Sequence, residues 1–404
     1  MSKLFALEEL DTGTTEVELE AAPEVGEVAD VQVEVDAEIA EAADSAEAIE
    51  EGMGAADQLD QVEEVVADAV ENGEGLDPVA AESLRIAVEA ICARIGANPK
   101  AMYSLYATEN FQSASSRKAN SKIALESVGE FLKDLWKKIK AAMSRLWEKV
   151  KGFWDKHLSS LGRVKKALES MKRAVGESSG KLKDKAYIED APSFLTDAVG
   201  GGDISSKSFD AFVVAHTALL SASSEIVTKT TDFNSSATAG VASDEAAITA
   251  AVNKIKGTAP AKSAKLIGGV QIEYKFSEEG EGVVNLEIER ENTDKADKGG
   301  VSLAEKNDVK SALDKVLALI NDNIKAKDKQ TKLQESFNKF SLAIEKSING
   351  VQDPEKQKNL RNAMKVVYKI NAKAPTIQNE VLGLNIKLAK AVLGYANLCL
   401  KNYK

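Results

Sequence analysis

Few side chains in this sequence could do chemistry at neutral pH. There are two histidines, His157 and His216, and two cysteines, Cys92 and Cys399. That set cannot build a His/Cys zinc cluster, a disulfide framework or a haem site. His216 lies on an apolar helical face with no Cys, His or acidic partner at ligand spacing, so it reads as a packed core histidine. Cys92 sits on an apolar stripe and reads as a buried structural thiol; Cys399 sits on the stripe of the last helix. GESSGK (176–181) has one residue too few between its glycines for a phosphate loop, and Leu182 stands where a Ser or Thr is needed. There is no Ser/Cys nucleophile motif and no dinucleotide-binding glycine fingerprint. The acids are spread over solvated helix faces. An enzyme is not expected, nor a cofactor or a metal.

What remains is charge and its placement. The 404 residues carry 52 Lys+Arg and 64 Asp+Glu, a net of −12 that hides two opposite halves. Residues 1–126 hold 29 acids and 7 bases, a net of −22, which leaves 35 acids and 45 bases, +10, for residues 127–404. The first 76 residues contain one basic residue, Lys3, and no aromatic after Phe5. A segment so acidic and so poor in bulky apolar groups is expected to be disordered or only transiently helical, because burial cannot offset roughly 1–2 kcal/mol of ordering entropy per residue. It suits a solubilising tail or a polyanion that shields the basic half. No run of about 18 apolar residues appears, so no transmembrane helix is expected. MSKLFALEEL lacks the n- and h-regions of a signal peptide.

The chain must be mainly α. Asp77-Pro78 opens a short helix over about 79–96, closed by Gly96. Residues 112–122 (QSASSRKANSK) show no periodicity and read as an exposed, protease-accessible connector. From 127 to 174 runs the strongest pattern, with Val128, Leu132, Leu135, Ile139, Ala142, Leu146, Val150, Phe153, Leu161, Val164, Leu168 and Met171 at alternating three–four spacing. Trp136, Trp147 and Trp154 share one edge of that stripe, while 13 Lys/Arg and 5 Asp/Glu cover the other faces. Trp136, Lys137, Lys138, Lys140, Trp147, Lys149, Lys151 and Trp154 form the candidate face. Three readings stay open for this helix: a packed bundle helix, an interfacial membrane segment anchored by Trp and Lys, and a cationic face for packaged DNA acting by counterion release.

Residues 175–404 read as a helical body. Residues 175–204 look loop-like, and helices are expected over about 206–229 and 243–256. Alternation in VQIEYKF and VVNLEIE around SEEGEG predicts a β-hairpin over about 270–290 with one buried face. Ser302-Leu-Ala-Glu305 has the form of a capping box for a helix over about 302–348. Pro354 and Pro375 punctuate two further helices, about 354–372 and 375–402.

The order of these features carries a resemblance. An acidic Ala/Glu leader, a short apolar helix, Tyr103-Ser-Leu-Tyr106-Ala-Thr-Glu-Asn-Phe111, a polar connector, Ile123-Ala-Leu-Glu-Ser127 and a Trp/Lys helix follow one another. The sequence resembles the internal head (inner core) proteins of large tailed bacteriophages, T-even-like or giant myoviruses, mainly over residues 1–160. The resemblance implies a virion protein made as a precursor in the prohead core, with an acidic propeptide removed after a Glu in an A-x-E motif by the prohead protease. Carried onto this sequence, it implies cleavage at Ala124-Leu125-Glu126 before Ser127, with Ala107-Thr108-Glu109 before Asn110 as an alternative site. The same triplet recurs at Ala6, Ala87, Ala167 and Ala343; a cut at 169 or 345 would split expected helices. The 126-residue leader would mask the basic body, which would stay in the capsid with DNA and could leave with it on infection. Implied partners are the protease, other capsid and core proteins and packaged DNA, inside the phage head or in host cytoplasm during assembly or after ejection. Two other functions fit the residues: a membrane-active, host-targeted effector binding a membrane surface, and a non-binding prohead scaffold component.

Overall fold

The computed structural model describes residues 23–71, 73–98, 113–182, 187–189, 191–243, 245–278, 284–292, 298–351 and 354–403. Among them are eight helices: α1 (Pro23–Glu71), α2 (Pro78–Arg94), α3 (Ala114–Glu177), α4 (Ser193–Val199), α5 (Ser206–Ser243), α6 (Glu245–Lys256), α7 (Lys306–Gly350) and α8 (Pro354–Lys401). Six strands, β1 (Tyr187–Ile188), β2 (Gly202–Ile204), β3 (Ala261–Lys262), β4 (Val270–Glu278), β5 (Val284–Asn292) and β6 (Lys298–Ser302), form two small sheets. The protein is mainly α, as its periodicity predicts.

α8 is the axis of the fold. α1, α3, α5 and α7 all pack on it, and from Val366 to Cys399 few of its residues reach solvent. The predicted break at Pro375 does not occur, and one helix runs from 354 to 401. Proline removes a backbone donor and normally kinks an exposed helix. Here it is buried among the neighbouring helices, and the Gln330 side-chain amide donates to the Pro375 carbonyl at 2.9 Å.

β4 and β5 pair antiparallel with Tyr274 opposite Ile288, and Ile272, Tyr274, Phe276, Val284 and Leu286 make the predicted buried face. That face packs on the helices, with β5 against α8, and β3 adds a third strand. The expected capping box at 302–305 is absent. Ser302 ends β6, its carbonyl accepts a hydrogen bond from the Tyr395 hydroxyl at 2.8 Å, and α7 starts at Lys306 with no side-chain cap from Glu305. Pairing of β6 with β1 and β2 captures residues that local sequence offered to a helix. Residues 175–204, expected as loop, contain the end of α3 and the short elements β1, α4 and β2. α5 is, by length and composition, apolar enough to cross a membrane, but half of its most apolar stretch is buried against its neighbours, as in a core helix.

The largest departure is at the acidic end. Residues 23–71, expected to be disordered or only transiently helical, form the 49-residue α1. The expected connector is helical too: Ser113 caps α3 by accepting from the Ser116 amide, and residues 114–122 form its first turns. Residues 1–22 lie outside the described residues, as does the alternative site at 107–110.

Candidate functional site

α1 is rich in Ala and Val and carries 17 acids with no Lys or Arg. Alone it has no reason to be stable, because its apolar groups are mostly small and stand among 17 acids. Their spacing is what seats it. Val28, Val31, Val35, Ala42, Ala46, Ile49, Met53, Leu59, Val62, Val66 and Val70 recur at three–four spacing and are all buried. They fill the groove between α3 and α8, which run antiparallel to α1. Gly52 and Gly383 permit the close approach: a β-carbon on Gly52 would lie 3.3 Å from Ile139, and one on Gly383 would lie 2.7 Å from Ile39.

Flanking that apolar seam is a ladder of ion pairs. On α8, Lys358 meets Glu64 at 2.8 Å and Arg361 meets Glu63 at 2.9 Å. Lys365 lies 2.5 Å from Asp60 and 2.9 Å from Asp57, Lys369 lies 3.4 Å from Asp57, and Lys373 lies 2.6 Å from Glu50. Helical spacing of cations on one element thus meets helical spacing of acids on the other. Lys365 is the deepest of them: burial would lower its pKa, but Asp60 and Asp57 outweigh burial and raise it, so it stays charged. On the α3 side, Lys156 donates to Glu38 at 2.7 Å and Lys149 lies 3.7 Å from Glu41. His157, fully buried, places Nε2 3.0 Å from the same Glu38 carboxylate. Burial pushes the His157 imidazole down, favouring the neutral ring. Burial raises Glu38, but the hydrogen bonds from Lys156 and His157 prevail and lower it. His216 is the core histidine predicted: buried, 2.7 Å from Asn385, and accepting from the Ile267 amide at 3.1 Å.

Ala124, Leu125, Glu126 and Ser127 lie within α3. Ala124 is fully buried, Leu125 and Ser127 are half-buried, and Glu126 is exposed. Just upstream, the α1–α2 turn is pinned to α3. Gly75 adopts φ +90° with its α-carbon so close to the Arg117 backbone that a β-carbon would lie 2.5 Å away. The Leu76 amide donates to the buried Ser121 hydroxyl at 2.9 Å. Downstream, Leu125 and Glu126 border a cavity of about 830 Å³ that is also lined by Trp136 of the same helix and by Arg361 and Tyr368 of α8.

The Trp/Lys face divides. Trp147 and Trp154 are buried and Trp136 is half-buried, with Trp136 edge-on to Tyr368 at 6.1 Å and Trp147 beside Phe337 at 5.9 Å. Their indole N–H groups find no acceptor among the described residues, so their contribution is bulk in the core. Lys140 pairs with Glu345, Lys149 with Glu41 and Lys137 with Asp134, while Lys138 and Lys151 face solvent. The tryptophans and the solvent-facing lysines therefore do not share a surface. What sequence reasoning missed is the α8 ladder; its signal was Lys358, Arg361, Lys365, Lys369 and Lys373 at three–four spacing, opposite an acidic segment without a base.

No curated protein and no solved structure matches this chain. One family model does, over residues 16–398, spanning the acidic helix, the Trp helix and the body alike. The chain belongs to the phiKZ-like phage internal head proteins, structural proteins of the head interior.

Proposed function

We propose that this internal head protein is made as a precursor whose acidic leader neutralises the body until the maturation protease removes it after Glu126. The body left behind, net +10, stays in the capsid against packaged DNA, held by non-specific phosphate contacts. The observation that carries this reading is the ladder: eight acids of α1 sit on cations or His157 of α3 and α8, so the leader is a fitted counter-charge. A protease needs an extended substrate, so cleavage after Glu126 requires the first turns of α3 to unwind. Glu126 is exposed, and it borders a cavity together with Leu125, which gives a protease an approach to the bond from that side. Partners beyond capsid components would be the protease and DNA.

Intact mass and N-terminal sequencing of the protein recovered from phage heads tests the proposal. A start at Ser127 is expected. A start at Asn110 moves the cut to the alternative site, and a start at Met1 or Ser2 ends the precursor reading.

A further inference from the structure

We propose that the groove between α3 and α8 is a binding site for an acidic amphipathic helix in trans, so that the severed leader stays seated after the bond is cut. The inference takes its biological setting from the proposed removal of the leader, but its geometry does not depend on where the natural cut falls.

Three observations carry it. α1 is 49 residues long, about 73 Å of helix at roughly 1.5 Å per residue. Along it the apolar stripe is buried from Val28 to Val70, so the seat is continuous. The stripe is flanked by the ladder from Lys358–Glu64 at one end to Lys156–Glu34 at the other, which fixes register and direction. Chain connection contributes only an effective concentration to such an association, on the order of millimolar for a short flexible link. A seam of this size does not depend on that contribution.

Removing α1 would leave the groove unsatisfied. Lys365 would lose its two aspartates and Lys373 its glutamate, while Ile139 would lose the α1 backbone that packs on it at Gly52. An empty groove is therefore an apolar, cationic channel of helical width, whose best occupant is the helix that already fits it. Cleavage changes the leader from a domain element into a ligand, and a second step must displace it.

The test uses the full chain with a recognition sequence for a site-specific endoprotease replacing residues 99–105, which severs α1 and α2 from an intact α3. After cleavage, size-exclusion at micromolar concentration and physiological salt reports whether the two pieces travel together. A labelled peptide of residues 23–71 is then offered to the cut protein, beside the same peptide carrying Asp57→Asn, Asp60→Asn and Glu63→Gln. Co-elution, exchange of the first peptide and roughly tenfold or more weaker exchange of the second are expected. Separate elution of the leader overturns the proposal, whether the body remains folded by its tryptophan emission or aggregates. Equal exchange of both peptides overturns the role of the ladder. None of these results bears on the N-terminus found in heads, so this proposal and the precursor reading fail independently.

Discussion

Replacing Asp57 and Asp60 together by asparagine removes both carboxylates facing Lys365 while keeping side-chain volume. The Lys365 side chain is 7% exposed, and its ammonium lies 2.9 and 2.5 Å from the two aspartates. Removing one side of a buried ion pair costs roughly 3–5 kcal/mol, because a charge is left in a poorly solvated place. The aspartates are 28% and 21% exposed, so water can follow the vacancy in part, and Arg361 keeps Glu63. The lower end, about 3 kcal/mol, is therefore expected. Asp155→Asn, which breaks the half-exposed pair between α3 and Lys327, should cost far less, because water screens that pair. Urea unfolding followed by tryptophan emission, which reports α3, and by far-UV circular dichroism gives both numbers if the two probes coincide. Adding Lys365→Met to the double variant should restore most of the loss, because the uncompensated charge at Lys365, the most buried of these cations, is then gone. A loss below about 1 kcal/mol in the double variant would refute the reasoning: the ladder would be surface decoration, and α1 would be held by its apolar seam alone.

Burial pushes the His216 imidazole down to about 4 from 6.5. Its folded value lies below its unfolded one, so the unfolded chain binds the proton first and stability falls as pH drops through that window. At about 1.4 kcal/mol per pH unit, wild type should lose about 3 kcal/mol more than His216→Gln between pH 7 and pH 4. Gly75→Ala combines φ +90° with a clash at the Arg117 backbone, whereas Gly96→Ala meets only φ +62° and open space. The first should cost at least about 1 kcal/mol more than the second by urea midpoint. Trp147 and Trp154 are buried, so emission of the intact protein should already be blue-shifted, resist iodide and stay unchanged on adding anionic liposomes. A further shift with liposomes would revive the membrane-active reading.

Much was legible in the residues. The stripe from Val128 to Met171 predicted α3 and its buried face because large apolar residues at three–four spacing leave a helix no other way to hide them. The period of two in residues 270–276 and 284–288 predicted the hairpin for the same reason. The charge switch between residues 126 and 127 and the Ala-x-Glu triplet that marks it are sequence properties outright, and no coordinate is needed to see them. Other features were decided elsewhere. α1 consists of small apolar residues among acids, so no local rule makes it a helix; the groove of α3 and α8, with its row of cations, supplies both the cover and the counter-charge. Ser302 joined β6 because Tyr187 of distant β1 pairs with it and the Tyr395 hydroxyl donates to its carbonyl, and α8 ran through Pro375 because burial among its neighbours offsets one missing donor. The first turns of α3, just before buried Ala124, are held in the same way: the Leu76 amide of the α1–α2 turn, 45 residues away, donates to Ser121. Periodicity sees only what a segment does with its own neighbours, whereas a helix of weak propensity and paired charge takes its state from partners hundreds of residues away.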